Sequence, residues 1–463
     1  MNKQVFYDPH RKRWKRLRRI FDVLALIGLM LGAIFIINLW RMKPLPELLL
    51  QAPKRNYRAL ANRQIATKPT QKFRRSAHRK TDRKASDIPL NSGEGLRAAY
   101  YVVDDPASYS SLKQHINQVD LLFPEWIHVV TPDGNLTGYT EDNSPFAVVD
   151  STGVHQVDRE NQVAKTIAKN HASTEVFPLV NNYDPVKGEF LPSIGDFLTS
   201  DESRANFVKQ IDTFLAANPS YHGISLDLED IPADAQSGFN ALVAALYNSL
   251  HSHHLRLYVN TPVDDDDFNL KFLANHSDGL LLMDYDQHQI DSGPGPIAAQ
   301  DWFVTNLKNV LQTVPKNKVI CSLGSYGYDW TMAMPETVGR GRRKKIIPGK
   351  VLNSRNLSTQ EAWQEAYDSE AQLQLDDDSL NPHFAYDDED AHVRHQVWFL
   401  DAVTVLNQMR AAKALGIQTF ALWQLGSEDN SLWKIWDYPE KADPIKDLAH
   451  VPPGYDVDTE GNG

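Results

Sequence analysis

Short apolar runs alternate with amphipathic stretches along the chain from Leu96 onward, and this alternation is typical of a parallel sheet with helices between its strands. Eight runs qualify as strands: RAAYYVV from Arg97, WIHVV from Trp126, EVFPLV from Glu175, HGISLDL from His222, LRLYVN from Leu255, GLLLMDY from Gly279, KVICSLG from Lys318 and TFALWQL from Thr419. Stretches with helical spacing lie between them, at residues 108–122, 203–217, 235–251, 302–314 and 402–415. Eight strands with intervening helices predict an α/β fold, a closed (β/α)8 TIM barrel.

One long interval, at about residues 330–395, separates the seventh strand from the helix that should follow it. It is too long for a simple loop, so we predict an inserted α+β subdomain after strand 7. Within it, STQEAWQEA from Ser358 has the signature of a capped helix, and RGRRKK from Arg340 indicates a basic loop before a strand.

A single apolar segment at residues 20–40 is long enough to cross the ~30 Å hydrocarbon core of a bilayer as a helix. Seven basic residues lie between Arg11 and Arg19, and by the positive-inside rule they keep the N-terminus cytoplasmic. Basic residues from Arg41 onward oppose this orientation, but they are sparser. A cleaved signal peptide is the alternative, although no clear small-x-small cleavage site follows the segment.

These patterns divide the chain into five parts: a basic cytoplasmic tail (1–19), a transmembrane signal-anchor helix (20–40), a basic flexible linker (41–94), the barrel (95–450) and a tail (451–463). The first 85 residues hold 22 Lys and Arg against 4 Asp and Glu, whereas the whole chain has a net charge of −11. The barrel is therefore strongly acidic, which disfavours nucleic acid as a partner, while the basic segment suits anionic lipid.

The composition of the chain excludes several classes of protein and of site. The chain is 42% hydrophobic and 23% charged, which excludes both a disordered protein and one that crosses a membrane many times. The lone cysteine, Cys321, excludes an intramolecular disulfide and a cysteine-based zinc site.

The fourth predicted strand, HGISLDLEDIP, carries the candidate chemistry. By the two-residue period of a strand, Ser225, Asp227 and Glu229 share one face, at the end of the barrel where such folds place their active sites. Two close carboxyls disfavour double ionisation, so the pair can hold one proton, and Glu229 could donate it to a leaving-group oxygen. The alternative is a solvated acidic loop.

The same segment resembles the DGxDxDxE signature of glycoside hydrolase family 18, the chitinase-like barrels. In this alignment His222 takes the first Asp position, Ser225 the second, Asp227 the third and Glu229 that of the catalytic glutamate. Two of the four acidic positions are kept. We expect His222 to be a structural residue at the entrance of the strand.

Further segments resemble the family in the same order. LLLMDYDQH resembles its MxYD element and places Met283, Tyr285 and Asp286; FALWQLGSED resembles its last-strand tryptophan element and places Trp423. SGPGPIAAQDWF and HQVWFLDAVT resemble a subgroup found with polysaccharide deacetylase and family 2 glycosyltransferase domains in bacterial membrane proteins. The resemblance covers about residues 95–448. It implies a single-pass protein of the bacterial inner membrane with a periplasmic or extracellular barrel, and a deacetylase or glycosyltransferase as a candidate partner.

The activity that the resemblance implies is retaining hydrolysis of polysaccharides containing β-linked N-acetylglucosamine, with the 2-acetamido group of the sugar as nucleophile. Glu229 would protonate the glycosidic oxygen, Asp227 would orient and stabilise the oxazolinium, and Tyr285 would hydrogen-bond the acetamide. The expected substrate-binding residues are Ser225, Met283, Asp286, Trp423, Asn260 and Trp302. Trp330 and Trp398 either extend the cleft or belong to the core.

We predict no cofactor and no metal. The histidines at residues 251, 253 and 254 are expected at the end of the barrel remote from the active face, and the acidic run at residues 264–267 lacks the glycine-punctuated spacing of a calcium loop.

One departure from the family pattern leaves the function open. Ser225 can donate a hydrogen bond but cannot carry the charge of the acid it replaces. The enzyme hypothesis therefore stands beside two others: a catalytically inactive barrel that binds and guides a nascent polysaccharide in a synthesis and export assembly, and a tethered scaffold for a separate enzyme.

Overall fold

The structure, a computed structural model, describes residues 89–93, 95–338 and 345–436. The predicted cytoplasmic tail, transmembrane helix and C-terminal tail, and most of the linker, lie outside these residues. Among the residues described, no helix has the length and apolar character needed to cross a bilayer.

The described residues contain the eight predicted barrel strands, together with additional strands and the helices. The strands are β1 (Arg97–Val102), β2 (Leu121–His128), β3 (Thr137–Tyr139), β4 (Pro145–Ala147), β5 (Val149–Asp150), β6 (Gly153–Val154), β7 (Glu175–Val176), β8 (Leu179–Asn181), β9 (Tyr183–Asp184), β10 (Glu189–Phe190), β11 (Gly223–Asp227), β12 (Arg256–Pro262), β13 (Gly279–Met283), β14 (Val319–Gly324), β15 (Tyr326–Ala333), β16 (Glu336–Val338), β17 (Lys345–Ile347), β18 (Val351–Ser358), β19 (Gln374–Leu375), β20 (Pro382–Asp388), β21 (Val393–Phe399) and β22 (Phe420–Trp423). The helices are α1 (Pro106–His115), α2 (Gln162–Asn170), α3 (Ile194–Thr199), α4 (Asp201–Ala217), α5 (Gln236–Ser252), α6 (Leu270–Asn275), α7 (Gln300–Val310), α8 (Thr359–Asp368), α9 (Ala402–Ala414) and α10 (Leu432–Ile435), with 3₁₀ turns at Ile116–Gln118, Arg159–Asn161, Ala233–Ala235 and Lys316–Lys318.

Eight parallel strands close into a barrel. In order around it they are β1, β2, β8, β11, β12, β13, β14 and β22, and β22 pairs in parallel with β1 to complete the ring. This confirms the predicted (β/α)8 barrel.

Alternate residues of each strand face opposite sides of the barrel wall. The inward residues form a compact core that fills the barrel, with large rings such as Tyr100, Phe123 and Tyr258. The outward residues pack with the helices in a second, larger core. Because the interior is filled by side chains, the barrel is a solid support for the groups at its C-terminal rim.

The inserted subdomain is an antiparallel sheet with the strand order β18, β15, β21, β20, β19, and it also contains α8. It begins with β15, which starts two residues after β14 ends, and it closes with β21 at Phe399. The structure thus has a sheet with a helix between Tyr326 and Phe399, where the sequence predicted an α+β insertion at about residues 330–395. The Ser358 hydroxyl and the Glu361 carboxylate form the predicted capping box at the start of α8.

The second barrel strand differs from the prediction. It begins at Leu121, whereas the sequence pattern started it at Trp126 and continued the preceding helix to Leu122; that helix ends at His115. Leu121, Leu122 and Phe123 are all fully buried. A strand buried on both faces has a continuous apolar run, which sequence periodicity does not distinguish from the end of a buried helix.

Candidate active site

A ring of side chains, one from each strand, lines the C-terminal rim of the barrel, and all of them except the methionine of β13 are polar or aromatic. Strand alternation sets their direction: Asn181 lies two residues after the core residue Leu179, and Asn260 lies two after Tyr258. The inward residues of this layer are Tyr100, Glu125, Asn181, Asp227, Asn260, Met283, Ser322 and Trp423. This is the end of the barrel at which the fold places its active sites.

The fourth strand, β11, is shaped at its start by Gly223. The φ angle of Gly223 is +142°, and a Cβ atom there would lie 1.8 Å from the carbonyl oxygen of Arg256 on the next strand. Glycine is therefore required at this position. From there Ile224 and Leu226 face the outer core, so that Ser225 and Asp227 point into the barrel, as predicted.

Ser225 belongs to a neutral hydrogen-bond network. The Asn260 amide donates to the Ser225 hydroxyl at 3.0 Å and to the carbonyl of Leu226 at 3.2 Å. The Tyr100 hydroxyl donates to the Asn260 carbonyl oxygen and lies 3.3 Å from the hydroxyl of Ser322. Asn260, predicted to bind substrate, thus contacts Ser225 and positions it. Ser225 is fully buried and introduces no charge beside Asp227.

The side chain of Asn182 holds the main chain of Glu229 on both sides. Its carbonyl oxygen accepts from the Glu229 amide at 2.8 Å, and its amide donates to the Glu229 carbonyl at 2.9 Å. Asn182 is itself fully buried. The next residue, Asp230, has a left-handed φ of 54° and turns the chain away from the barrel. Glu229 is therefore fixed by its backbone, while its side chain is only partly buried.

Burial and neighbouring acids raise the pKa values of both carboxyls. The pKa of Asp227 rises to about 7, mainly because the group is buried and further because Glu125 places a negative charge near it. The pKa of Glu229 lies well above its usual range, first through burial and then through the charges of Asp227 and Asp286. At neutral pH the two carboxyls together hold at least one proton.

One oxygen of Asp227 is left without a partner. Its Oδ1 atom is buried and accepts no hydrogen bond from the described residues. An unpaired buried carboxyl oxygen is costly in a fold, and active sites are where such groups are retained.

The aromatic floor and one wall of the site come from strands β13 and β22. The ring of Tyr285 lies 6.5 Å from that of Trp423 at an angle of 23°, and Tyr100 meets Trp423 edge-on at 5.0 Å. Trp423 remains partly exposed, whereas Tyr285 is 8% exposed. An exposed indole face at the bottom of a polar ring is suited to stacking under a sugar.

Asp286 is oriented by the inserted subdomain. The hydroxyls of Tyr326 and Tyr328 both donate to its Oδ1, the second at 2.8 Å. Burial raises the pKa of Asp286, and these two donated bonds act in the opposite direction. Met283, the other residue of the predicted MxYD element, is partly buried against the same aromatic cluster.

The sequence of the barrel matches a known family of enzymes. The profile of glycosyl hydrolases family 18 matches residues 126–429, which is more than half of the chain. The chain belongs to glycosyl hydrolase family 18. It is therefore a glycoside hydrolase by family.

Individual relatives agree with this assignment. The uncharacterized glycosylase YvbX of Bacillus subtilis is 26% identical over 270 residues, which cover 56% of this chain and 73% of that protein. A chitinase from Chromobacterium violaceum shares the fold with a TM-score of 0.60 and 21% identity, over 75% of this chain and 99% of the other. The spore cortex-lytic enzyme SleL of Bacillus megaterium has a TM-score of 0.58 and 19% identity, with 76% of each chain covered.

The family 18 barrel brings together most of the residues predicted from the sequence. Ser225 and Asp227 lie on the fourth strand, Glu229 follows two residues beyond its end, and Tyr285 and Trp423 lie beside them. Trp302 is placed differently: it lies on α7 and packs, partly buried, against both the outer core and the aromatic cluster around Tyr326, Tyr328 and Trp330. Its contact with substrate stays a prediction.

The two other tryptophans considered for the cleft also have packing partners. Trp330 is fully buried and is a core residue of the inserted subdomain. Trp398 is only partly buried and stacks on the imidazole of His383 at 4.3 Å.

A cluster of potential metal ligands lies in the inserted subdomain. Asp329, Glu365 and His395 have ligand atoms within 4.8 Å of one another. Arg355 already forms ion pairs with both carboxylates, the one to Asp329 at 3.1 Å, and His395 Nδ1 lies 2.9 Å from Asp329. The arginine supplies the positive charge that a metal ion would bring, so this is an ion-pair network.

Five polar groups of the site were not predicted from the sequence: Tyr100, Glu125, Asn181, Asn182 and Ser322. Asn181 and Asn182 directly follow the strand signal EVFPLV, where the fold places functional groups. Glu125 offered the clearest signal, since an acidic residue inside the apolar run LLFPEWIHVV is costly to bury without a purpose.

Proposed function

We propose that this family 18 barrel hydrolyses polysaccharides containing β-linked N-acetylglucosamine, by a retaining mechanism in which the acetamido group of the substrate is the nucleophile. Relatives acting on such polymers support the substrate class, because one of the similar structures is a chitinase and another is a spore cortex-lytic enzyme. The polymer itself is chitin-like exopolysaccharide or the glycan strand of peptidoglycan.

The observation that carries the proposal is the pair of neighbouring carboxyls, Asp227 and Glu229, at the rim of the barrel. Burial and the charges of Asp227 and Asp286 raise the pKa of Glu229, which favours the protonated form that can give its proton to the glycosidic oxygen as a general acid. The bond from that oxygen to the anomeric carbon breaks, while the carbonyl oxygen of the 2-acetamido group bonds to the same carbon. The product of this step is a cyclic oxazolinium, which water then opens with retention of configuration.

Neighbouring side chains have distinct roles in this scheme. Asp227 orients the acetamide, and its proton hydrogen-bonds the carboxylate that forms on Glu229. The negative charge stays on the Glu229 carboxylate and is shared with Asp227 through this hydrogen bond, which stabilises the oxazolinium cation. Tyr285 donates a hydrogen bond to the acetamide oxygen, since its own pKa lies well above the usual range and keeps the hydroxyl protonated. Trp423 stacks under the sugar.

The second candidate function is a barrel that binds a polysaccharide without turnover. Ser225 favours it, because the family's acid at that position is replaced by a hydroxyl in a neutral network. The two functions make opposite predictions about hydrolysis.

The deciding experiment is product release from N-acetylglucosamine oligomers by the full chain in detergent, beside its Glu229→Gln variant. The enzyme hypothesis predicts oligomer cleavage by the native chain and a loss of at least about 10³-fold in the variant, with oligomer binding retained. Binding by both proteins with cleavage by neither would establish the glycan-guiding barrel instead.

We also propose that the barrel is anchored to the bacterial inner membrane by residues 20–40, with the N-terminus in the cytoplasm. The apolar length of that segment and the seven basic residues before it support this topology. The full chain should stay in the membrane fraction after an alkaline wash, and a chain without residues 1–40 should leave it. Recovery of the intact full chain in the soluble fraction would contradict the anchor.

We further propose a deacetylase or glycosyltransferase as a partner of the anchored barrel. The support for this proposal is the resemblance of SGPGPIAAQDWF and HQVWFLDAVT to the subgroup that occurs with such domains. Co-purification of either enzyme with the full chain from membranes would test it.

A further inference from the structure

Glu125 is a third carboxyl at the catalytic end of the barrel. It lies on β2, two residues after Phe123, whose ring is in the core that fills the barrel, so its side chain points to the same interior. The pairing of β2 with β8 shifts register between Glu125 and Ile127. A bulge of this kind re-aims the side chains beside it and is frequent next to active sites.

The partner of Glu125 also connects it to Asp227. The Asn181 amide donates to Glu125 Oε1 at 2.8 Å, and the Cα atom of Asn181 is the direct cross-strand partner of Asp227. The carbonyl oxygen of the same amide lies 2.7 Å from His128 Nδ1. Asn181 is therefore fixed in orientation, and it holds the Glu125 carboxyl in the layer that contains Asp227.

The fourth strand lacks the acid that would normally lie behind Asp227. Ser225, at that position, is fully buried and hydrogen-bonded within a neutral network. Asp227 has a buried oxygen without a partner among the described residues. Any negative charge that acts on Asp227 from the barrel interior must come from another strand.

We propose that Glu125 is a positioning residue of the catalytic set, which supplies from the second strand the negative charge missing at Ser225 and thereby keeps a proton on Asp227. This inference rests on the proposed function, because the proton on Asp227 is what hydrogen-bonds Glu229 as that residue gives up its own. Glu125 neither donates nor accepts a proton in the reaction and does not contact the sugar.

The charges around Asp227 agree with this assignment. The titratable groups that act on it or respond to it are Glu125 from β2, Glu229 from its own strand, Tyr100 from β1 and Tyr285 beyond β13. The two tyrosines stay neutral, since their pKa values lie well above the usual range. The carboxyl of Glu125 is thus the charge, after burial itself, that raises the pKa of Asp227. Burial also raises the pKa of Glu125, and the hydrogen bond that the Asn181 amide donates to Glu125 acts in the opposite direction by stabilising its ionised form.

The direct test is the titration of Asp227 in the full chain, followed by carbon-13 NMR of labelled aspartate carboxyls and assigned with Asp227→Asn. Glu125→Gln keeps the size of the side chain and an oxygen for the Asn181 amide, but it removes the charge. We expect the pKa of Asp227 to fall by about one unit. The control Glu189→Gln changes an exposed residue of β10 and should leave the pKa of Asp227 unchanged.

Activity supplies a second readout. If the pKa of Asp227 falls by one unit from about 7, roughly a tenth of Asp227 is protonated at pH 7 instead of half. We therefore expect kcat/KM to fall about fivefold at pH 7 and to recover near pH 5.5. Adding Ser225→Asp to Glu125→Gln returns a charge to the family position and should restore the native pH profile. If Glu125→Gln only damaged the structure, neither the lower pH nor the added Ser225→Asp substitution would restore the activity.

Two outcomes overturn the proposal: an Asp227 titration that does not move in Glu125→Gln, or a loss of activity that is independent of pH. The failure of the proposed function is distinguishable from both. If the native chain cleaves no oligomer, the hydrolase is contradicted, but the NMR titration still decides whether Glu125 sets the protonation of Asp227.

Discussion

Asp227 and Glu229 lie two residues apart, Asp227 at the end of β11 and Glu229 just beyond it, and their environments differ. Asp227 is 6% exposed and has a buried oxygen without a partner among the described residues, whereas Glu229 is held through its main chain and is only partly buried. The less buried residue is the one proposed to reach a glycosidic oxygen, and the more buried residue is the one proposed to act behind it. This difference in environment supports the two proposed roles.

The first prediction concerns the pH dependence of hydrolysis. Glu229 must be protonated to act as the acid, and the raised pKa values of the pair move the loss of protons to higher pH. We expect kcat/KM on an N-acetylglucosamine oligomer to be maintained in weakly acid solution and to decline as the pH rises through about 7. A profile that instead rises across that range would contradict protonation of the pair.

The second prediction concerns Asn182, which fixes the Glu229 backbone with two hydrogen bonds. Asn182→Ala frees that backbone, and the misplacement of the acid should lower kcat by about 10- to 100-fold with a smaller change in KM. Asn309→Ala, an exposed change on α7, is the matched control. Steady-state kinetics with equal kcat for both variants would show that Asn182 does not position Glu229.

The sequence predicted those parts of the site whose residues lie close together along the chain. Ser225, Asp227 and Glu229 follow the two-residue period of one strand, so their common face could be predicted. Glu125 and Asn182 reach the same place from other strands, and the register between parallel strands is not encoded in any local pattern. At Glu125 a bulge also shifts the register between β2 and β8, and the two-residue period of a strand does not indicate such a shift.

At the scale of elements, the junction of β14 and β15 joins the barrel to the inserted sheet. β15 begins at Tyr326, two residues after the seventh barrel strand ends, and presents the hydroxyls of Tyr326 and Tyr328 to Asp286. The insertion therefore orients a predicted substrate-binding residue that belongs to the sixth strand segment.

The third prediction follows from that contact. Tyr328→Phe keeps the ring beside Trp330 but removes one of the two hydrogen bonds to Asp286, so KM should rise about three- to tenfold while kcat changes little. Tyr386→Phe, which removes a hydroxyl bonded to Glu365 in the same sheet, serves as the control. A variant with native KM would indicate that Asp286 does not contact the substrate.

The barrel strands and the longer helices could be predicted because their patterns are long. The helices at residues 201–217, 236–252 and 402–414 match their predicted positions to within two residues, and all eight barrel strands are present. The start of β2 was wrong, since burial on both faces removes the alternation that marks a strand. The internal strand order of the insertion depends on antiparallel pairings between residues far apart in sequence, which no single segment specifies.

At the scale of the whole molecule, the raised pKa of Asp227 links the site to the stability of the fold. A carboxyl whose pKa is higher in the folded state stabilises that state most at low pH, and this contribution is lost as the pH rises through the folded value, here about 7. The active site is thus maintained at a cost in stability above neutral pH.

The fourth prediction measures that cost. Asp227→Asn cannot ionise, so between pH 5 and pH 8 the native chain should lose roughly 3 kcal/mol of folding free energy relative to the variant. Thermal unfolding of the two full chains at both pH values would show it as a Tm difference that grows with pH. Parallel Tm curves would mean that Asp227 is not the buried carboxyl described here.

The central claim is hydrolysis assisted by the acetamido group of the substrate, and it is tested most directly by removing that group. The measurement compares cleavage, by the full chain, of an N-acetylglucosamine oligomer with cleavage of its fully deacetylated counterpart. The account predicts product from the acetylated oligomer alone, because the barrel supplies an acid and a stabilising carboxyl while the substrate supplies the nucleophile. Efficient cleavage of the deacetylated oligomer would contradict it.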